Sequence, residues 1–385
     1  MTTTMKVFTI LISMLVMSAI APAQAVISVT PPALTHDSRQ ALTLSVEISG
    51  VTDLYASSIT LEFNNEVILC TGFQKGTFLE GNAGGSSVHY QSYPEPDAGA
   101  DYFRVDQTIL GTTTCSGSGT LFTVQFIPLK GDEVMVSVRS AQLRNADNEP
   151  IAFTTASSLV TINIVALRLK AMLEGAFSGT SMRTDLLSVL PLAQPFTTAP
   201  WNYAGSETVP ADFFSTHTDI VDWVLVELRD NPTASSVKGR CAALLRSDGM
   251  VVGTDGGIPV YVSAPHHMPY YLVVRHRNHL PIMSANAQWP DFSEDVYDFS
   301  SAVSQAYGML PMKQLDSGVW GMIAGEANGD GRITGTDYNA FSSEFFSIAS
   351  GYRQTDFNLD AMVTGTDYNI FYDNFFTIRI SGVPE

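Results

Sequence analysis

Residues 42–68 read LTLSVEISGVTDLYASSITLEFNNEVI, and their spacing decides the fold class. Leu42, Leu44, Val46 and Ile48 alternate with polar residues, and Ile59, Leu61 and Phe63 repeat the pattern after a break that carries Gly50 and Asp53. Alternation at period two turns one face of each strand inward. Outward from this stretch the same alternation recurs at 121–127, 134–138 and 159–164, with Gly, Ser, Asn, Asp and Pro between the runs and no long helical period. Many short strands joined by turn residues predict an antiparallel β-sandwich over residues 26–164 and a mainly β chain.

The 385 residues are 45% hydrophobic and 15% charged, enough apolar material for sizeable cores and for more than one domain. A net charge of −18 repels phosphate backbones and anionic lipid and favours cations, so nucleic acid is excluded as a partner class. Lys6, the apolar run 7–20 and Ala23-Gln24-Ala25 have the order of an export signal, which predicts a mature chain from Val26, outside the cell or at its surface, with no transmembrane segment. Of three cysteines, Cys70 and Cys115 could form a bridge in an oxidising compartment, and Cys241 reads as a buried apolar residue.

An internal repeat carries the clearest chemistry. Glu326-Ala-Asn-Gly-Asp-Gly-Arg-Ile-Thr-Gly-Thr-Asp337 aligns with Asp356-Phe-Asn-Leu-Asp-Ala-Met-Val-Thr-Gly-Thr-Asp367 at a constant offset of 30 residues, 326 to 356. Oxygen side chains fall at loop positions 1, 3, 5 and 12: Glu326, Asn328, Asp330 and Asp337, then Asp356, Asn358, Asp360 and Asp367. Arg332 and Met362 offer main-chain carbonyls at position 7, and Thr334 and Thr364 a hydroxyl or bridged water at position 9. This is the donor set of a flexible calcium loop, which predicts two Ca2+ sites. Glu326 adds a methylene at position 1, and Ala361 stands where the sharp turn at position 6 prefers glycine. After each loop, Tyr338, Phe341 and Phe345, then Tyr368, Phe371 and Phe375, recur at helical spacing, with Phe341 and Phe371 the expected core members.

Two family resemblances follow from these motifs. Ile48-Ser-Gly-Val-Thr-Asp-Leu-Tyr55, the strand from Ile59 ending in Asn64-Asn65, and Gln74-Lys75-Gly76 resemble the strand, Gly-Val link, acidic or Asn-rich turn and Lys-Gly turn of cohesin modules. The duplicated loop-then-helix of residues 324–385 resembles a type I dockerin, a small α-helical calcium module of EF-hand type. That resemblance implies partner-reading residues just before position 12, here Gly335 and Thr336, and Gly365 and Thr366, with a glycine where dockerins usually carry a second hydroxyl. It also implies that nearly the same face is presented after a half-turn. Cohesin- or dockerin-bearing proteins are the implied partners.

Residues 165–323 read as a β-rich domain of unknown function, similar to an uncharacterised domain that precedes dockerin-like repeats in bacterial surface proteins, a similarity that carries no activity. His276 and His279, near His266 and His267, invite a metal reading, but three-residue spacing along a strand turns side chains apart unless the strand has ended, which favours a structural or surface role. Asp222, Glu227, Asp291 and Glu294 can be nominated as hydrolytic carboxylates without any spacing that selects two, and Asp222 and Glu227 fall on opposite faces of one strand. Trp201, Tyr203, Trp223, Tyr270 and Tyr271 are candidates for stacking on sugars, with core packing as the alternative. No catalytic constellation emerges. The sequence therefore predicts a non-catalytic, calcium-dependent assembly or adhesion protein, with head-to-tail self-association conceivable; the alternative is a polysaccharide-binding protein or glycoside hydrolase whose middle domain works and whose tail is an address.

Overall fold

The computed structural model describes residues 24–94 and 100–384. Most of the predicted export signal lies outside the described residues; Gln24 and Ala25 are described, and Ala25 opens the first strand. Among the described residues no helix is long and apolar enough to cross a membrane.

The first region is a sandwich of two sheets. Its strands are β1 (Ala25–Thr30), β2 (Ala33–His36), β3 (Leu42–Leu54), β4 (Ala56–Glu62), β5 (Ile68–Lys75), β6 (Ser87–Tyr93), β7 (Tyr102–Leu110), β8 (Cys115–Pro128), β9 (Asp132–Arg144), β10 (Phe153–Ala156) and β11 (Ser158–Ile162), with a short helix α1 (Thr77–Asn82). One sheet has the order β10-β1-β3-β8-β5 and the other β2-β11-β9-β4-β7-β6. Leu42, Leu44, Val46 and Ile48 face Ile59 and Leu61 across a single buried core, as the alternation predicts.

The strand directions differ from an all-antiparallel sandwich in two places. β1 runs parallel to β10, and β2 parallel to β11. The first chain segment changes sheet at Pro31-Pro32, where no backbone donor is available, and the last segment changes sheet beside it between β10 and β11. Two segments that cross together at the edge of a sandwich pair side by side, and period-two patterning carries no information on their direction.

Cys70 and Cys115 are both buried and not joined. Cys70 stands opposite Phe126, whereas Cys115 begins the same strand β8 and pairs with Leu54. At about 3.3 Å per residue, the run from Cys115 to Phe126 far exceeds the roughly 7 Å limit between bridged Cα atoms, so the structure removes this bridge from consideration.

β12 (Ile164–Leu167) leads out of the sandwich and pairs with Val260–Ser263. Its consecutive residues serve two cores: Ile164 belongs to the sandwich and Val165 to the next cluster. That second region is built on a five-stranded antiparallel sheet in the order 251–252, 237–246, 220–229, 271–275 and 282–283. The central strand Ile220–Arg229 is buried at every position, so both faces are covered. A helical turn α2 (Phe213–Thr216) and long loops cover part of it. The last residues form α3 (Gly335–Phe346) and α4 (Gly365–Phe375) around a third small core that includes Ile333, Phe341, Phe357, Val363 and Phe371.

Candidate metal centre and docking face

Each C-terminal loop folds around its first and last acids. In the first, Glu326 Oε1 accepts the amides of Asn328 (3.0 Å) and Gly329 (2.6 Å), and Oε2 that of Arg332 (2.8 Å). Asp337 Oδ1 accepts from the Ala327 amide at 2.7 Å and Oδ2 from the Thr334 amide at 2.8 Å. The second loop repeats the scheme: Asp356 accepts from Asp360 and Ala361, and Asp367 from Asn358 and Thr364. Glu326, Asp337, Asp356 and Asp367 are all buried.

Burying acids this close together disfavours their charged forms. Burial, and then the neighbouring Asp337 carboxylate, push Glu326 up to about 8. Burial pushes Asp356 up to about 7 against the opposing pull of Arg277, and it raises Asp367 as well. A cation held among these oxygens would remove that cost, and the donor set of carboxylates, amide oxygens and carbonyls suits a hard ion. The residues therefore fit calcium. Among the described residues, three His, Cys, Asp or Glu ligand atoms converge within 4.8 Å at Asp132, His266 and His267 and not within either loop.

Each loop pairs through its backbone with the segment that follows the other loop's helix. Arg332 bridges Ile380, after α4, and Met362 bridges Ser350, after α3. In the first bridge the hydrogen bonds run through Gly331 and Ile333, on either side of Arg332; in the second they run through Ala361 and Val363, on either side of Met362. Ile333 and Val363 enter the shared third core. Thr334 and Thr364, read from sequence as contributors to the ion's shell, serve as N-caps of α3 and α4 in reciprocal capping boxes with Asp337 and Asp367.

Gly335, Thr336, Gly365 and Thr366 are exposed at the helix starts. The Asn328 side-chain amide donates to Thr336 Oγ1 at 2.8 Å, and Asn358 does the same to Thr366. A candidate loop ligand is thus one hydrogen bond from a candidate partner residue, a link that sequence spacing does not reveal. Phe341 and Phe371 are core, as predicted, with Phe357 between them. Outward, Tyr338, Tyr368, Tyr372 and Phe376 line a shallow groove beside Gly335, and Phe376 and Phe346 are 64% and 81% exposed. Tyr372 and Phe376 were not among the residues expected from sequence, although their i+4 and i+8 spacing from Tyr368 was the signal that could have found them.

Asp222, Glu227, His276 and His279 are committed to buried contacts in the middle region. The strand ends at Arg275, so His276 and His279 turn toward each other, their Nδ1 atoms 3.0 Å apart, in the interior rather than at a surface. His276 Nε2 lies 3.1 Å from Asp222, and His279 Nε2 accepts the Gly175 amide. Burial lowers the pKa of both imidazoles. Asp222 also binds Arg277 (2.9 Å) and the Tyr352 hydroxyl (2.7 Å); although burial alone would raise it, Arg277 and His276 hold it down at about 2. Glu227, on the other face, meets Arg229, Arg240 and Arg275 at 2.9, 2.9 and 3.1 Å. Trp223 and Tyr270 are core, Trp201 and Tyr203 are half-buried against it, and Cys241 is buried as expected.

No family model matches the chain, and no curated protein matches it. Solved structures similar to it are cohesins. A non-cellulosomal cohesin from the archaeon Archaeoglobus fulgidus is 16% identical, over 36% of this chain and 91% of its own, at a TM-score of 0.30. A type I cohesin–dockerin complex from Clostridium thermocellum gives 13% identity, 36% and 99% coverage and 0.31. A type II cohesin domain from the cellulosome of Acetivibrio cellulolyticus gives 12%, 36% and 95%, and 0.31. Scores at this level leave the sandwich to be read from its own strands and turns.

Proposed function

We propose that the chain is an exported, non-catalytic assembly protein that works outside the cell or at its surface. Its C-terminal loops bind two calcium ions and hold α3 and α4 for docking onto a cohesin-type sandwich, while its own sandwich is the cohesin-like receiver for a dockerin-type module. The observation that carries this reading is the exposed face of α3 and α4: two Gly-Thr pairs, each with its threonine hydrogen-bonded to a loop asparagine, beside a row of exposed aromatics. Aromatic residues left at a surface beside a few polar anchors are what protein interfaces use. The ions act structurally, through the Asn-to-Thr hydrogen bonds, and not as catalysts. Two of the four nominated carboxylates, Asp222 and Glu227, are committed to buried ion pairs.

The test is calorimetric calcium titration of the chain from Val26 to Glu385, followed by sedimentation with and without calcium, alone and with cohesin-bearing proteins. Two ions are expected, reduced to one by D330A or by D360A, together with calcium-dependent association. Absence of calcium uptake, or association indifferent to both variants, would overturn the proposal.

A further inference from the structure

The junction between the sandwich and the middle region brings together side chains that the assembly function does not use. Asp132 opens β9, after a turn in which Gly131 is closely enclosed: a Cβ there would lie 2.1 Å from the Ile164 carbonyl oxygen and 2.9 Å from His266 Cβ. His266 and His267 follow the strand Val260–Ser263, which pairs with β12 as the chain leaves the sandwich. One ligand atom each from Asp132, His266 and His267 lies within 4.8 Å of the others. His267 takes a left-handed backbone, φ 56°, unusual for a residue with a side chain and suited to turning two successive rings toward one point; the rings meet edge to face at 4.7 Å. Its amide donates to Asp291 Oδ2 at 2.5 Å. His266 Nδ1 is buried without a hydrogen-bond partner.

An orphaned buried nitrogen beside a second imidazole and a carboxylate is costly unless something accepts their lone pairs. Two neutral imidazoles and a carboxylate suit a borderline cation of the zinc class and do not suit calcium, which takes oxygen ligands. We propose that Asp132, His266 and His267 form a transition-metal site, with Zn2+ the representative ion, that clamps the sandwich to the middle region. A tetrahedral ion with ligands at about 2.0–2.1 Å needs them about 3.4 Å apart, so binding closes the present separation by small side-chain movements. Asp291, which accepts the His267 amide at 2.5 Å, is the nearby acid positioned to serve as a fourth or outer-shell partner. Asp132 comes from one region and both imidazoles from the other, so occupancy restrains their relative orientation.

The test is titration of the metal-stripped chain with ZnCl2 while calcium saturates the C-terminal loops, read by calorimetry and by the visible absorption of the Co2+ form. One zinc per chain is expected, with a raised thermal midpoint. H266Q/H267Q together, and D132N alone, should each weaken binding at least about tenfold, while H89Q, on the far edge strand β6, changes nothing. Asp132 is partly exposed, so D132N should retain the native circular dichroism even if the double variant does not fold. No uptake by the parent chain, or uptake that survives the double variant, overturns the site. Uptake indifferent to D132N overturns the clamp.

Discussion

Ala361 holds φ 69° and Leu359 φ 60°, where the first loop has Gly331 at 77° and Gly329 at 73°. A side chain in the left-handed region costs about 1 kcal/mol, and the two substitutions arise for different reasons. Gly329 has no alternative, since a Cβ would stand 2.1 Å from Pro200 Cγ. Leu359 uses its position to bury a side chain in the middle region's core. Ala361→Gly is therefore expected to stabilise the calcium-saturated chain by up to about 1 kcal/mol, whereas Leu359→Gly destabilises it by about 1–3 kcal/mol, because the lost core contact outweighs the strain relieved; denaturant unfolding of the two variants measures the opposite signs. The sequence displayed Ala361 as a departure from the loop pattern, while the role of Leu359 depends on a neighbour distant along the chain. His276 and His279 give a second residue-scale expectation. Both have folded pKa values depressed below the ordinary 6.5 by burial, with Arg277 opposing protonation and Asp222 favouring it at His276. Below that pH the unfolded chain binds more protons than the folded one, so their contribution, complete above about pH 7, is lost as the pH falls through 6.5 toward 5. Each imidazole contributes a slope of up to about 1.4 kcal/mol per pH unit, and H276Q/H279Q should flatten the profile of unfolding free energy measured in calcium.

At the scale of elements, α3 and α4 have two working faces. Their inner face was legible from the Tyr/Phe spacing, and Phe341 and Phe371 stand where that spacing puts them. The outer face diverges between the copies: Tyr372 in α4 corresponds to Ser342 in α3, while Phe376, just after α4, matches Phe346. The anchoring diverges too, since Asn374 reaches Glu174 at 2.8 Å while its counterpart Glu344 accepts from Thr355 within the same module. Partner docking should consequently favour α4. The double variant Y372S/F376S is expected to keep both calcium sites and the helical circular dichroism, and to weaken partner capture by about 2–4 kcal/mol, the range of an aromatic hot spot. Surface plasmon resonance against a captured partner checks this, and capture unchanged by the variant would move the docking face elsewhere. In the sandwich, β3, β4, β8 and β9 were legible because each shows one face to the core. The parallel pairs β1–β10 and β2–β11 were not, because direction is set by where two distant segments cross between sheets.

At the scale of the molecule, the C-terminal loops are fused to the middle region. Arg277 stacks 4.3 Å from the centre of the Tyr352 ring, donates to the Arg353 carbonyl and pairs with Asp222. Asn278 donates to the Asp356 carbonyl at 2.6 Å, Arg183 to that of Asn358 at 2.7 Å, and Arg229 to that of Pro384 at 2.8 Å. Removing one partner of a buried ion pair costs about 3–5 kcal/mol. Arg277→Ala should therefore lower the stability of the loops and of the middle sheet together, and scanning calorimetry should show both lost in one transition, earlier than in the parent chain; a variant that melts only the loops would show that the two regions are independent. By itself the sequence determined the alternating strands β3, β4, β8, β9 and β11 of the sandwich, the two oxygen-rich loops, their helices and the inner aromatic stripe, because period, spacing and donor chemistry are properties of neighbouring residues. Only the tertiary structure decided that the cysteines stand apart, that Asp222 and Arg277 tie the C-terminal loops to the middle region, and that Asp132 meets His266 and His267. Those are encounters between residues remote in the chain, fixed by how separate cores stack and by which buried charges must be compensated there.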